Sequence, residues 1–243
     1  LGATSETAFR VPKASSGWWT HRFVAEGVEH EAPAKVFGET VLPFRDPDGM
    51  RLALVGAEGA EKEPGWASEG IPAEHAIRGF HGVTLLVAKA EPTAAILTDV
   101  FGFAEAGREG ALVRFSSGTR EGGHVTLRAV GDFLRGRQGG GSVHHVAFRA
   151  ADDAEQAAMV GRLRGGHGIE TTEQRDRNYF RSVYFREPGG VLFEIATDIP
   201  GFAVDEAPEH LGEALKLPAQ YEAHRAAIEA ILPDLGMRLP DAA

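Results

Sequence analysis

The chain has no cysteine among its 243 residues. Disulfides, cysteine-ligated zinc sites, cysteine-held iron–sulfur clusters and thiol nucleophiles are therefore excluded. It has no run of 18 apolar residues, so no transmembrane helix is expected. Basic residues are outnumbered, with Lys+Arg 25 against Asp+Glu 35 and a formal net charge of -10. That balance argues against general nucleic-acid binding, which needs a basic footprint. The opening Leu1-Gly2-Ala3-Thr4-Ser5-Glu6 lacks the basic start and apolar stretch of a signal peptide. A cytoplasmic protein is the expectation. The missing initiator Met suggests a chain incomplete at that end. What is abundant is ordinary globular material: 43% hydrophobic and 25% charged residues, enough for a sizeable core.

Internal repetition organises the chain. Val41-Leu42-Pro43-Phe44-Arg45-Asp46-Pro47-Asp48-Gly49-Met50-Arg51-Leu52 parallels Val183-Tyr184-Phe185-Arg186-Glu187-Pro188-Gly189-Gly190-Val191-Leu192-Phe193. Both read as strand, acidic-Pro-x-Gly turn, strand, because Pro presets one dihedral and Gly supplies the positive one. The upstream segments Thr7–Val11 and His145–Arg149 share Ala-Phe-Arg. A third copy runs from His81 to Leu127. Each copy carries a helical stretch after its first strand. Ser15-Ser16 can cap a helix with Trp19 and Phe23 four apart. Pro92 suits the first turn of a helix presenting Ile96, Leu97 and Val100. Asp152-Asp153 opens a third, with Met159, Val160 and Leu163 inward and Gly165-Gly166 ending it. The expected fold class is α+β, built of units that read strand, helix, then two or three strands. The expected spans are 1–57, a linker over 58–77, then 78–131 and 142–199, and a helical C-terminal arm over 200–243. In that arm Glu213–Leu217 and Ala219–Leu232 read as helix, striped by Ile228, Ile231 and Leu232. Arg135–Gly141 reads as a flexible loop.

Among ten histidines, His145 has the best-placed carboxylate partner. Glu194 lies in the otherwise apolar strand Gly190–Ala196, where an unpaired carboxylate is costly. Taken singly, Glu194 also fits a salt-bridged core carboxylate and His145 a core histidine bonded to backbone. Taken together they favour a divalent metal, Fe(II), Mn(II) or Zn(II). The repeat puts Glu6 and Ala53 at these two positions in the first copy, which suggests one functional copy and one scaffold copy. His144 falls on the opposite face of an ideal strand and reads as an orienting neighbour. The segment Arg175–Tyr184 offers Arg177 to stabilise negative charge and the Tyr184 phenol to donate to an oxyanion. It also fits a solvated strand edge.

The sequence resembles the vicinal oxygen chelate superfamily of glyoxalase I, fosfomycin-resistance proteins and extradiol dioxygenases. The likeness rests on strand-helix-strand units with a His on a first strand and a Glu on a last strand. It narrows in Ser142–Phe148, Arg177 and Tyr184–Asp198, with Leu217–Glu222 of the tail, to the hydroquinone-type ring-cleaving dioxygenases. The resemblance implies repeated βαβββ modules forming cupped mixed sheets, and an Fe(II)- and O₂-dependent reaction on a small aromatic substrate. It also implies metal ligands His145 and Glu194, substrate-pocket residues Arg177 and Tyr184, and His144 as a catalytic histidine beside the ligands rather than one of them. The third ligand it implies is a His in a further N-terminal module, absent here. His81 is the in-chain alternative, although the repeat places Gly82 at the ligand position. A glyoxalase-type isomerase or lyase on Zn(II) or Ni(II), and a metal-free small-molecule binder of the same fold, stand as competing functions. A homo-oligomer fits as well.

Overall fold

A computed structural model describes residues 1–233. The elements run β1 (Ala3–Pro12), α1 (Ser16–Ala25), β2 (Ala34–Val36), β3 (Glu39–Arg45), β4 (Arg51–Ala57), β5 (Phe80–Val87), α2 (Ala90–Asp99) and β6 (Ala104–Glu109). They continue with β7 (Leu112–Ser116), β8 (His124–Ala129), β9 (Val146–Ala150), α3 (Asp153–His167), β10 (Arg175–Asp176), β11 (Arg181–Arg186), β12 (Leu192–Thr197) and α4 (Arg225–Glu229). This is an α+β fold of two mixed sheets. One has eight strands in the order β2-β3-β4-β1-β5-β8-β7-β6, and the other four in the order β10-β11-β12-β9. The pattern repeats: β1 is parallel to β4, β5 to β8 and β9 to β12, with an antiparallel hairpin beyond each pair. The halves of the large sheet join through antiparallel β1 and β5.

Strand periodicity decides which side chains meet the core. Along β12, Phe193 and Ile195 are fully buried in the main cluster with Ile96 and Leu97 of α2 and Met159 and Leu163 of α3. Each such side chain contributes about 1.5–3 kcal/mol by burial. Glu194 lies between them and so projects from the other face of the sheet. β11 repeats the alternation, with Val183 and Phe185 in the core and Tyr184 turned away. In β4, Leu54 joins Val11, Trp19, Phe23 and Leu42 under α1, whereas Ala53 and Val55 pack on the opposite face with Ala8 and Val41. The registers set Ala53 opposite Ala8, Thr126 opposite Thr84 and Glu194 opposite Ala147, which makes Ala53 and Thr126 the counterparts of Glu194.

Several local expectations are corrected. Ser15 does not cap α1; its Oγ donates instead to the Glu74 carbonyl, 3.3 Å, and meets His75 Nδ1 at 3.0 Å. Asp152 does cap α3, accepting from Glu155 N at 2.9 Å. Gly165-Gly166 does not end α3, which continues to His167. Gly168, at φ 63°, ends it instead, and the following amide, Ile169 N, reaches back to Leu163 O. In the C-terminal arm Glu213–Leu217 is not helical. Among the described residues of the arm, helix is limited to 3₁₀ turns at Phe202–Val204, Pro208–His210 and Ala219–His224 and to α4. Ile231 is 82% and Leu232 48% exposed, so that stripe does not pack on the body. Residues 234–243 of the arm lie outside the described residues. The segment after β4 is fastened: Arg78 donates to the carbonyls of Ala60, Glu63, Ala73 and Ala76, and Arg10 pairs with Glu63.

The hairpin that carries the site is anchored by Glu187, 2% exposed. Its carboxylate accepts from Thr93 Oγ1 of α2 at 2.6 Å, Gly189 N at 2.7 Å and Val191 N at 2.8 Å. A Cβ on Gly189 would lie 2.7 Å from Val87 and from that carboxylate, which explains the glycine. Glu187→Ala strands these donors in the core and should cost about 2–4 kcal/mol, read as a lower urea midpoint at unchanged slope. A loss under 0.5 kcal/mol, the range of ordinary surface changes, would contradict the anchor.

Candidate active site

Tyr184 and Glu194 are directly opposite each other in the β11–β12 register. That pairing sets the phenol above the carboxylate, and Tyr184 Oη donates to Glu194 Oε1 at 2.8 Å. The other oxygen, Oε2, lies 2.6 Å from His145 Nε2. His145 directly precedes β9 rather than lying within it, and its ring stands edge-on to Tyr184 at 5.7 Å. The Glu194 side chain is 4% exposed and that of His145 32%. A buried carboxylate is thus satisfied on both oxygens, as burial demands, while the imidazole opens to the surface. His144 Nδ1 meets His145 Nδ1 at 2.9 Å. One of those nitrogens donates and the other accepts.

Arg177 lies in the turn between β10 and β11, its Cζ 5.8 Å from the Tyr184 ring centre. The five residues singled out from the sequence, His144, His145, Arg177, Tyr184 and Glu194, are therefore linked by contacts, and His144, expected on the opposite strand face, instead meets His145 because both precede β9. His81 does not join them. It belongs to the large sheet, where its Nε2 meets Glu39 Oε1 at 3.1 Å and its ring stacks on His124 at 4.6 Å. Among the described residues no three His, Asp or Glu side chains converge as a ready metal cluster. The pair His145–Glu194 nonetheless suits a divalent cation: one imidazole nitrogen and one carboxylate oxygen converge, a borderline and a hard donor. The contact not foreseen is Tyr184 with Glu194. Its signal was in the hairpin, since pairing across the Glu187–Gly190 turn sets Tyr184 against Glu194.

A cavity of about 780 Å³ lies beside this cluster, lined by Thr4, Lys89, Arg135, Arg137 and His144 among others. It reaches His144 but not His145, Glu194 or Tyr184, so the chemistry is located by side-chain convergence and not by concavity.

The large sheet has its own polar cluster. Glu39 of β3 takes His81 on one oxygen and Arg114 of β7 on the other at 2.5 Å, and the Arg114 guanidinium lies 4.2 Å over the Phe37 ring. Burial alone would raise the Glu39 pKa. Hydrogen bonds and charge from His81 and Arg114 outweigh it and hold the carboxyl down to about 2. His124 is pushed down to about 4, first by burial and then by the charges of His81 and Arg114.

The chain belongs to the glyoxalase/bleomycin resistance protein/dioxygenase superfamily. The description of that family matches residues 79–195. MhqO of Bacillus subtilis strain 168, named as a ring-cleaving dioxygenase, is 41% identical over 96% of this chain and 73% of its own length. The chlorohydroquinone/hydroquinone 1,2-dioxygenase of Sphingobium indicum is 30% identical over 91% of this chain and 70% of its own. A Bacillus subtilis crystal structure described as a dioxygenase has a TM-score of 0.84 at 40% identity, over 96% of this chain and 74% of that one. Glyoxalase I of Zea mays, at 14% identity, shares the fold alone, with a TM-score of 0.57 over 81% of this chain and 68% of that one. Within the superfamily the chain is an enzyme of the ring-cleaving dioxygenase kind. No helix among the described residues is long and apolar enough to cross a membrane.

Two predictions concern this region. Tyr184→Phe removes the donor to a buried carboxylate oxygen and should cost about 1–3 kcal/mol in the metal-free protein, measured by urea unfolding; an unchanged midpoint would contradict the contact. Acid should erode the large-sheet cluster in two windows. The His124 pKa is depressed on folding, so stability declines as pH falls from 6.5 toward about 4. The Glu39 pKa is also depressed, so its contribution, present above 4.5, is lost as pH falls toward about 2. His124→Asn should flatten the first window and leave the second; midpoints that still fall equally from pH 6.5 to 4 would count against it.

Proposed function

We propose that this chain is an Fe(II)-dependent ring-cleaving dioxygenase acting on hydroquinone-like aromatics, with His145 and Glu194 as two protein ligands of the iron. The observation that carries the reading is the convergence of His145 Nε2 and Glu194 Oε2 at 2.6 Å, with one partner buried and the other open to the surface. A bound ferrous ion would supply O₂ activation and acidify the substrate phenol.

The chain's own residues account for the rest. Tyr184 Oη holds Glu194 Oε1 at 2.8 Å, which orients the second oxygen toward His145. A cation held at His145 Nε2 would leave the ring proton on Nδ1, where His144 Nδ1 at 2.9 Å could accept it and orient the imidazole. Arg177, beside the Tyr184 ring, offers positive charge and planar donors to a phenolate oxygen. A para-diol cannot chelate one ion through both oxygens, so single-oxygen binding with Arg177 and Tyr184 as orienters suits a hydroquinone. The named activity of the Sphingobium relative supports that substrate class. A redox-active ion, Fe(II) or Mn(II), is preferred over Zn(II) because ring cleavage with O₂ needs a metal that takes part in electron transfer, and zinc has no redox chemistry.

The test is anaerobic loading of the full-length protein with Fe(II), followed by hydroquinone under an oxygen electrode. One O₂ should be consumed per hydroquinone. Glu194→Ala should lower iron occupancy and reduce oxygen uptake by about 10²-fold or more. Hydroquinone turnover without oxygen uptake, or full iron occupancy in Glu194→Ala, would overturn the assignment.

A further inference from the structure

The stretch that leaves β12 turns back over the hairpin tip that carries Arg177. Glu194 and Arg177 are thereby linked by a short path outside the sheet. The tip itself is tightly wound. Arg177 N bonds Phe180 O at 2.9 Å and Tyr179 N bonds Arg177 O at 2.8 Å. Asn178 takes the left-handed conformation, φ 65°, and Asp176 Oδ1 accepts its amide at 2.8 Å. Asn tolerates that conformation better than most residues.

Tyr179 is gripped from three directions by Gly201–Asp205. Gly201 N donates to Tyr179 O at 2.9 Å. The Phe202 ring stacks on the Tyr179 ring at 5.2 Å and 28°. Tyr179 Oη donates to Asp205 Oδ2 at 3.0 Å, and that bond, before burial and charge, raises the phenol's pKa. Phe202 is 65% exposed, so the stack buries little area of its own. A surface contact of this kind adds little to global stability. It removes freedom from the turn two residues away from Arg177, whose side chain is otherwise exposed.

We propose that Gly201–Asp205 is a latch and Tyr179 a positioning residue, which together hold Arg177 over Tyr184 for the substrate oxygen. The inference rests on the ring-cleaving reading given above, in which Arg177 meets the substrate. It assigns a functional task to the start of the C-terminal arm, where only short 3₁₀ turns occur.

The test compares Arg177→Ala, the latch variant Tyr179→Phe/Phe202→Ala, and their combination in the full-length iron-loaded enzyme. The latch variant should raise KM for hydroquinone about five- to tenfold with iron content unchanged. On the Arg177→Ala background the same two changes should add less than about twofold, because residues acting through one group are not additive. Trypsin should cut after Arg175 and Arg177 several-fold faster in the latch variant. Phe202→Tyr, which keeps a stacked ring, should leave KM and cleavage as in the parent. Full additivity on the Arg177→Ala background, or unchanged tryptic cleavage and KM, overturns the latch. Should Arg177→Ala itself leave kcat/KM unchanged while oxygen is still consumed, the substrate role of Arg177 fails, and the latch with it. Absence of oxygen uptake in the parent enzyme instead sinks the ring-cleaving reading.

Discussion

A carboxylate on an apolar strand is tolerable only with partners, and the candidate site is organised around that constraint. Glu194 projects from β12 between two fully buried apolar neighbours, Phe193 and Ile195. Burial of those neighbours fixes the pleat, and the pleat sends the carboxylate to the opposite face. There it finds one phenol and one imidazole. A shift of one residue in the β11–β12 register would put Glu194 into the core and Phe193 outside it. The Glu187 anchor on α2 opposes such a shift by tying the hairpin turn to a second element. Stability of the fold and geometry of the site thus depend on the same register.

The repeated architecture shows how one scaffold yields different interiors. In the large sheet the positions equivalent to Glu194 are Ala53 and Thr126. Those equivalent to Tyr184 are Pro43 and Arg114, by the same hairpin registers. Arg114 is held by Glu39 and covered by Phe37, so that sheet fills its own face with an ion pair and a ring. In the four-stranded sheet the corresponding place holds His145, Tyr184 and Glu194 with an imidazole left open. The difference is a few side chains on a common strand order.

Much of this was legible in the sequence, for identifiable reasons. Strand alternation, the acidic-Pro-x-Gly turns and the shared Ala-Phe-Arg segments are local signals, and they marked the strands, the helices after each first strand and the unusual Glu194. The His145–Glu194 pair is legible because a carboxylate in an apolar run is rare and a His stands at the entrance to the neighbouring strand β9. Less legible were contacts made by distant segments. The position of Ser15 fits a helix cap, yet its hydroxyl serves Glu74 and His75, some sixty residues away. The C-terminal helix is legible from the spacing of Ile228, Ile231 and Leu232, and Ala219–His224 with α4 carries it as far as Glu229. Ile231 and Leu232 lie exposed just beyond it, and without burial a short stripe does not extend the helix further. The Tyr179 grip on Gly201–Asp205 likewise has no local signature, since neither segment alone calls for the other.

The central claim is that His145 and Glu194 share one divalent ion. Anomalous diffraction from crystals of the full-length protein grown with Mn(II) tests it most directly. The account predicts a single strong peak within bonding distance of both His145 Nε2 and a Glu194 carboxylate oxygen. A peak bonded to neither, or the two side chains still hydrogen-bonded to each other with manganese held elsewhere, would contradict it.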